Sequence, residues 1–201
     1  MRTGKVAEAA SVFDWLLGSW TFLREIPGYA SVRGEAWIKA ERLNAARYSE
    51  KAIVSLTRGG TLHATQCYQY RRLDPCANGI EVRFCETGEL FERLDFREEA
   101  GGLRAQAQFL CGADVYESEY VVEGSDCLVV EHMVHGPRKD YRVRTIYRRY
   151  ACSSLTEGVW GASASPRMTF VRHRTEGSAR GNGLMAQDCE RGHERRACGP
   201  L

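Results

Sequence analysis

The chain predicts an all-β domain: a single antiparallel up-and-down barrel of about ten strands, with a short N-terminal helix and a disordered C-terminal tail. Three observations carry this prediction. From residue 19 to residue 150, apolar and polar residues alternate in runs of roughly ten, the period-2 signature of half-buried strands. Turn-forming pairs and single glycines separate the runs, and no helical spacer lies between them. An open sheet that long would curl or split, whereas closure removes its exposed edges. A two-sheet sandwich is the alternative that the same pattern permits.

At the start of the chain Val6, Ala9, Ala10, Phe13, Leu16 and Leu17 recur at helical spacing. Ser11 followed by Asp14 resembles a capping signal, so a helix is predicted over residues 7–17, ending at Gly18. Strands are predicted at residues 19–26, 31–41, 46–57, 61–72, 79–87, 89–98, 102–111, 114–123, 127–135 and 140–150. Pro27-Gly28, Gly59-Gly60, Asn78-Gly79, Gly88, Gly101-Gly102, Gly112, Gly124-Ser125 and Gly136-Pro137 mark the hairpins between them. The barrel domain therefore spans residues 7–150. Beyond it, residues 151–201 are rich in Ser, Gly and Arg and carry no period, so they bury too little apolar surface to offset the entropy of ordering and are predicted to be disordered.

Composition narrows the function classes. With 28 Lys and Arg against 26 Asp and Glu in 201 residues, there is no global charge suited to nucleic acid or a membrane surface. No segment has the length of a membrane span, no basic start precedes an apolar run, and no Asn-x-Ser/Thr sequon occurs, so a cytoplasmic location is predicted. The eight cysteines include no Cys-x-x-Cys pair, and Cys189, His193 and Cys198 lack zinc-site spacing, so no metal is predicted. Cys67, Cys76 and Cys85 read as ordinary small strand residues, although a hairpin centred on Cys76 would bring Cys67 and Cys85 together on one face.

Alternation assigns inner faces. Trp20, Phe22 and Ile26 share one with Arg24; Tyr48, Glu50, Ala52 and Val54 share another; Ala64, Gln66, Tyr68 and Tyr70 follow. Later strands turn Ala105, Ala107 and Phe109, then Tyr116, Ser118 and Tyr120, then Val130, His132 and Val134, then Tyr141, Thr145 and Tyr147 inward. A packed small barrel would favour plain Leu, Ile and Val; so many Ala and Tyr side chains suggest a cavity with polar groups for a small ligand. Glu50 on an apolar-facing strand would mark a site if unpaired, and Arg24 is its natural partner. Asp114 and Tyr116, and Lys139, Asp140 and Tyr141, begin two strands at what the meander makes one barrel end; there Lys139 and Arg138 could hold an anionic group oriented by Asp114 or Asp140. The candidate ligand-binding set is thus Glu50, Tyr68, Tyr70, Asp114, Tyr116, His132, Lys139, Asp140 and Tyr141.

Gly18-Ser19-Trp20 after a short helix resembles the opening of calycin (lipocalin-like) barrels. The resemblance implies that Trp20 closes one barrel end against a late arginine, Arg148 or Arg149. Leu16-Leu17-Gly18-Ser19-Trp20, Gly34-Glu35-Ala36, Tyr48-Ser49-Glu50, Tyr68-Gln69-Tyr70, Cys111-Gly112-Ala113-Asp114-Val115-Tyr116, Gly136-Pro137-Arg138-Lys139-Asp140-Tyr141 and Tyr147-Arg148-Arg149 resemble, in order, the domain of unknown function 6314 (DUF6314). That family implies no activity. Where it favours Phe-His this chain has Phe91-Glu92, where it favours a His two residues before the Cys this chain has Phe109, and a Trp near Cys127 is absent.

The leading functional expectation is a barrel that binds a small, partly apolar molecule, with no cofactor. One alternative is a small-molecule isomerase or hydrolase in which Glu50, Asp114 and His132 converge as acid and base. Another, implied by the calycin resemblance, is a haem-binding barrel using one of His63, His132 and His135, of which only His132 is predicted to face inward.

Overall fold

A computed structural model describes residues 11–73, 78–99 and 102–150. The predicted tail, with Cys189, His193 and Cys198, and the part of the predicted helix before Ser11 lie outside the described residues. The helix α1 (Val12–Leu16) is followed by eleven strands: β1 (Gly18–Ile26), β2 (Ala30–Arg42), β3 (Ala45–Leu56), β4 (Thr61–Arg72), β5 (Gly79–Phe84), β6 (Leu90–Asp95), β7 (Arg97–Glu99), β8 (Gly102–Cys111), β9 (Asp114–Glu123), β10 (Cys127–Gly136) and β11 (Lys139–Arg149). No helix among the described residues is long and apolar enough to cross a membrane.

All strands form one antiparallel sheet in the order β6-β5-β4-β3-β2-β1-β11-β10-β9-β8-β7. β1 pairs with β11, joining the two ends of the meander, and β6 also lies against β8, so the sheet curls into a nearly closed barrel. Eleven strands stand where about ten were expected. The predicted strand at 89–98 breaks at Phe96 because its halves serve different neighbours: β6 pairs with β5, whereas β7 pairs with β8 from Arg97 opposite Arg104 onward. The chain changes partner at the seam of the barrel, and the buried Phe96 donates its backbone N–H to Asn78 instead of to a strand.

At one end, α1 plugs the barrel. Ser11 caps it, its hydroxyl accepting from the Asp14 N–H at 3.2 Å. Trp20, 2% exposed, donates its indole N–H to the Leu16 carbonyl at 2.9 Å. Arg149 lies over the Trp20 ring and donates to the Leu17 and Trp15 carbonyls. Arg148 instead is exposed on the outer face opposite Thr21, so Arg149 is the closing arginine. Gly18 adopts φ +125°, and a Cβ there would stand 3.0 Å from an Arg149 amino group; glycine serves both the backbone and the approach.

The pairing of β4 with β5 places Tyr68 opposite Phe84, and the next pair outward is Cys67 and Cys85. Their Cα atoms are 5.7 Å apart and the two are disulfide-bonded, which corrects the reading of these cysteines as ordinary strand residues. The bond sits on the outer face beside the Arg47 guanidinium.

Candidate functional site

Burial changes along the barrel axis. Near the helix end the inward side chains Trp20, Ile38, Ala46, Tyr48, Ile80, Leu94 and Val122 are buried. Towards the other end, Val54, Ala64, Gln66, Phe84, Ala107, Phe109 and Tyr141 face inward by the same alternation but keep accessible surface, as do Tyr70 and Tyr147 deeper inside, whereas Ile26, Ala30, Val32 and Val143 at that end are buried. Protein interiors are normally filled to crystal-like density. Inward side chains that still meet solvent therefore mark an interior open at one mouth and sealed at the other. Aromatic rings line it: Tyr48 stacks on Tyr70 at 5.8 Å, Tyr68 on Phe91 at 5.5 Å, and Phe109 meets Phe91 edge-on at 5.1 Å.

A first polar cluster joins β1, β3 and β11. Arg24 makes a bidentate pair with Glu50, Nη1 to Oε1 at 3.1 Å and Nη2 to Oε2 at 2.9 Å, and its Nε donates to the Thr145 hydroxyl at 3.0 Å. Tyr48 donates to Glu50 and lies 3.1 Å from the Tyr147 hydroxyl. Burial disfavours the Arg24 charge, but the neighbouring Tyr147 and Glu50 oxygens outweigh it and hold its pKa above the ordinary value. The Glu50 partner expected from the sequence is therefore the one present, and the charge of the pair is internally compensated.

A second cluster crosses the seam from β6 to β9 and β10. Both oxygens of Glu92 accept hydrogen bonds, one from the Ser118 hydroxyl and one from the Tyr120 phenol at 2.5 Å. Ser118 Oγ lies 2.6 Å from His132 Nδ1, which is 3.9 Å from Glu92. Burial raises the Glu92 carboxyl above its ordinary pKa, against the lowering effect of its two donors. Burial and then the Arg24 charge push the His132 imidazole down to about 3, so it is neutral at ordinary pH. The serine stands between carboxylate and imidazole and gives its proton to the carboxylate. Nucleophilic serine sites need the imidazole in the middle, as the base that takes the hydroxyl proton. This arrangement holds the seam together; it does not activate Ser118.

A third group lies at the open mouth. Lys139 pairs with Asp114 at 2.8 Å and donates to the Tyr116 hydroxyl at 3.2 Å. Burial disfavours the Lys139 charge, yet the bonds to Asp114 and Tyr116 raise its pKa overall. The Tyr141 phenol is pushed up to about 12, by burial first and then by Tyr116. A Cβ at Gly136 would collide with Asp114 Oδ1, so glycine at the end of β10 makes room for this pair. Asp140 points elsewhere, to an exposed contact with His135 at 3.1 Å.

Of the residues singled out from sequence, Glu50, Tyr68, Tyr70 and His132 lie inside the barrel, and Asp114, Tyr116, Lys139 and Tyr141 gather at its mouth. Glu50, Asp114 and His132 do not form one acid–base group: Glu50 is held by Arg24, Asp114 by Lys139, and His132 by Ser118. His63 and His135 are exposed, leaving His132 as the inward histidine among the three weighed for haem. Glu92 and Ser118 are the participants that sequence reasoning missed. In β6 the pairs Val82–Glu92 and Arg83–Leu90 skip Phe91, a β-bulge that turns both Phe91 and Glu92 inward and breaks simple alternation. Among the described residues no cluster of His, Cys, Asp or Glu could hold a metal ion.

A model of the family of unknown function DUF6314 matches residues 16–149. Comparison with curated proteins gives no match. Among solved structures, the S-type phycobiliprotein lyase CPES from Guillardia theta is similar at 10% identity, with a TM-score of 0.53 over 74% of this chain and 98% of that one. The redesigned β-barrel mFAP1, bound to DFHBI, aligns at 8% identity with a TM-score of 0.33 over 68% of this chain and 97% of its own. The lyase shares the barrel fold, and at that identity the likeness extends no further.

Proposed function

We propose that this chain, which belongs to the family of unknown function DUF6314, binds a small, partly apolar molecule inside its barrel. The observation that carries the reading is a set of inward side chains that stay accessible: Ala64, Phe84, Ala107, Phe109 and Tyr147 keep surface above a floor formed by Trp20 and Arg149, while Ile26, Val32 and Val143 on the facing strands are buried. Concave apolar sites with a few fixed polar groups are the usual form of small-molecule pockets. The polar groups favour binding over catalysis, because each interior charge already has a partner and Ser118 is not poised as a nucleophile. The cytoplasmic placement read from the sequence belongs to the same proposal. Since disulfides are rare in reducing compartments, trapping thiols in intact cells and finding Cys67 and Cys85 still bonded would count against it.

Native mass spectrometry of the purified protein tests the binding. The expected result is a non-covalent adduct on the 22.6 kDa chain that denaturation removes. A bare chain both as purified and after incubation with an apolar fluorophore would overturn the reading.

A further inference from the structure

The interior combines flat apolar walls with an unusual charge balance. Tyr48 on Tyr70 and Tyr68 on Phe91 form two nearly parallel stacks, tilted 10° and 12°, and Phe84 and Phe109 stand across from them. Tyr70, Phe84 and Phe109 keep accessible surface, as do Tyr141 and Tyr147, so a molecule inside the barrel meets aromatic rings as well as the small aliphatic Ala64 and Ala107. Quadrupoles on such walls favour flat, conjugated partners over flexible alkyl chains, which also lose more rotamer freedom on binding.

Charge selects further. Arg24 is consumed by its bidentate pair with Glu50, and at the mouth Lys139 is consumed by Asp114. Glu92 has no such cation: its partners are two hydroxyls and, at 3.9 Å, an imidazole. The described interior thus encloses a carboxyl group, its side chain 0% exposed behind Ser118 and Tyr120, without a neighbouring ammonium or guanidinium partner, while Arg24 and Lys139 are already paired. A ligand carboxylate brought into this low-dielectric space would be desolvated, and its charge would act through space against the Glu92 carboxyl, whose ionisation burial already disfavours.

We propose that the molecule held in the barrel is a flat, conjugated and uncharged one, selected by the Tyr70, Phe84 and Phe109 walls and by the exclusion of carboxylates at Glu92. This deepens the binding reading above and rests on it.

Fluorescence titration of the intact chain with three probes tests it: aminoanthracene, which is flat and neutral; anthracenecarboxylate, the same ring system with a negative charge; and dodecanoate, a flexible anion used as a competitor. Aminoanthracene should bind saturably, one molecule per chain, with anthracenecarboxylate at least about tenfold weaker and dodecanoate unable to displace either. Glu92→Gln, which removes the carboxylate while keeping groups that can bond Ser118 and Tyr120, should narrow the gap between the two anthracenes; Phe109→Leu should weaken aminoanthracene by about tenfold. Equal binding of the two anthracenes, or a gap that Glu92→Gln leaves unchanged, would overturn the charge selection. Tight dodecanoate binding with no aminoanthracene binding would overturn the ligand class and leave the binding reading intact. Failure of all three probes would count against binding itself and take this inference with it.

Discussion

The Arg149 guanidinium lies 4.3 Å from the centroid of the Trp20 indole, and its amino groups donate to the carbonyls of Trp15 and Leu17 at the end of α1. One side chain from the last strand thereby ties the first strand to the helix that plugs the barrel. The same guanidinium is 5.4 Å from the Trp15 ring, whose indole donates to the Ser125 carbonyl at 3.0 Å. Trp15, Trp20 and Arg149 together form the sealed floor.

Arg149→Ala should lower stability by about 2–3 kcal/mol, from the lost cation–π contact and the carbonyls left without a donor. Arg149→Lys should recover only part of this, since an ammonium lacks the planar fork that reaches both carbonyls. Urea denaturation measures both, and a wild-type midpoint for Arg149→Ala would contradict the role given to this residue.

The Arg24–Glu50 pair, with side chains 4% and 2% exposed, makes a different forecast. Removing one partner strands a buried charge, so Arg24→Met or Glu50→Leu alone should cost about 3–5 kcal/mol. The double substitution should be less damaging than either single one, because the apolar pair strands nothing. A double-mutant cycle followed by chemical denaturation checks this; additive losses would mean the two charges act independently.

The seam cluster predicts a pH dependence. The folded-state pKa of His132 is depressed from 6.5 to about 3, so below pH 6.5 the unfolded chain takes up a proton first. Stability should be lost as pH falls from about 6.5 towards 3, at up to about 1.4 kcal/mol per pH unit. Glu92 works the other way: its folded pKa is raised from 4.5, so its contribution is full below 4.5 and is lost as pH rises through its folded value. His132→Gln should flatten the acid limb, and Glu92→Gln should steepen it. Urea midpoints collected across that range test the assignment, and an unchanged profile in His132→Gln would refute it.

The Cys67–Cys85 bond closes a loop with a sequence separation of 18. Loop-closure entropy gives about 3 kcal/mol for a loop of this size. Replacing both cysteines by Ala should lower the unfolding free energy from urea denaturation by about that amount; an unchanged free energy would show that the bond is absent in solution.

Most of the strand layout is legible in the sequence because alternation and turn residues are local signals. Residues 61–72, 102–111 and 114–123 end where the turns say they should. The Arg24–Glu50 pairing is also legible, since both residues share the inward parity of their strands and a buried charge needs a partner. What escapes is non-local or breaks the period. The switch of partner at Phe96 depends on where the barrel closes, which no single strand encodes. Glu92 is hidden by the bulge at Phe91, which places two successive side chains inside. The disulfide depends on the register of β4 against β5, and the strand runs alone do not set that register. Of the mouth residues, Lys139 meets Asp114 as their strand positions suggested, whereas Asp140 has the opposite parity and points out.

The most direct test of an open barrel interior needs no ligand. Ala64 faces inward on β4 opposite Ala52 and retains accessible surface. In Ala64→Trp the indole would occupy free space, so thermal unfolding should stay cooperative with a midpoint equal to or above wild type. A filled interior would have to be pushed apart, at a cost of about 1–3 kcal/mol or more; a marked fall in the Ala64→Trp midpoint would therefore contradict the open barrel and the binding function built on it.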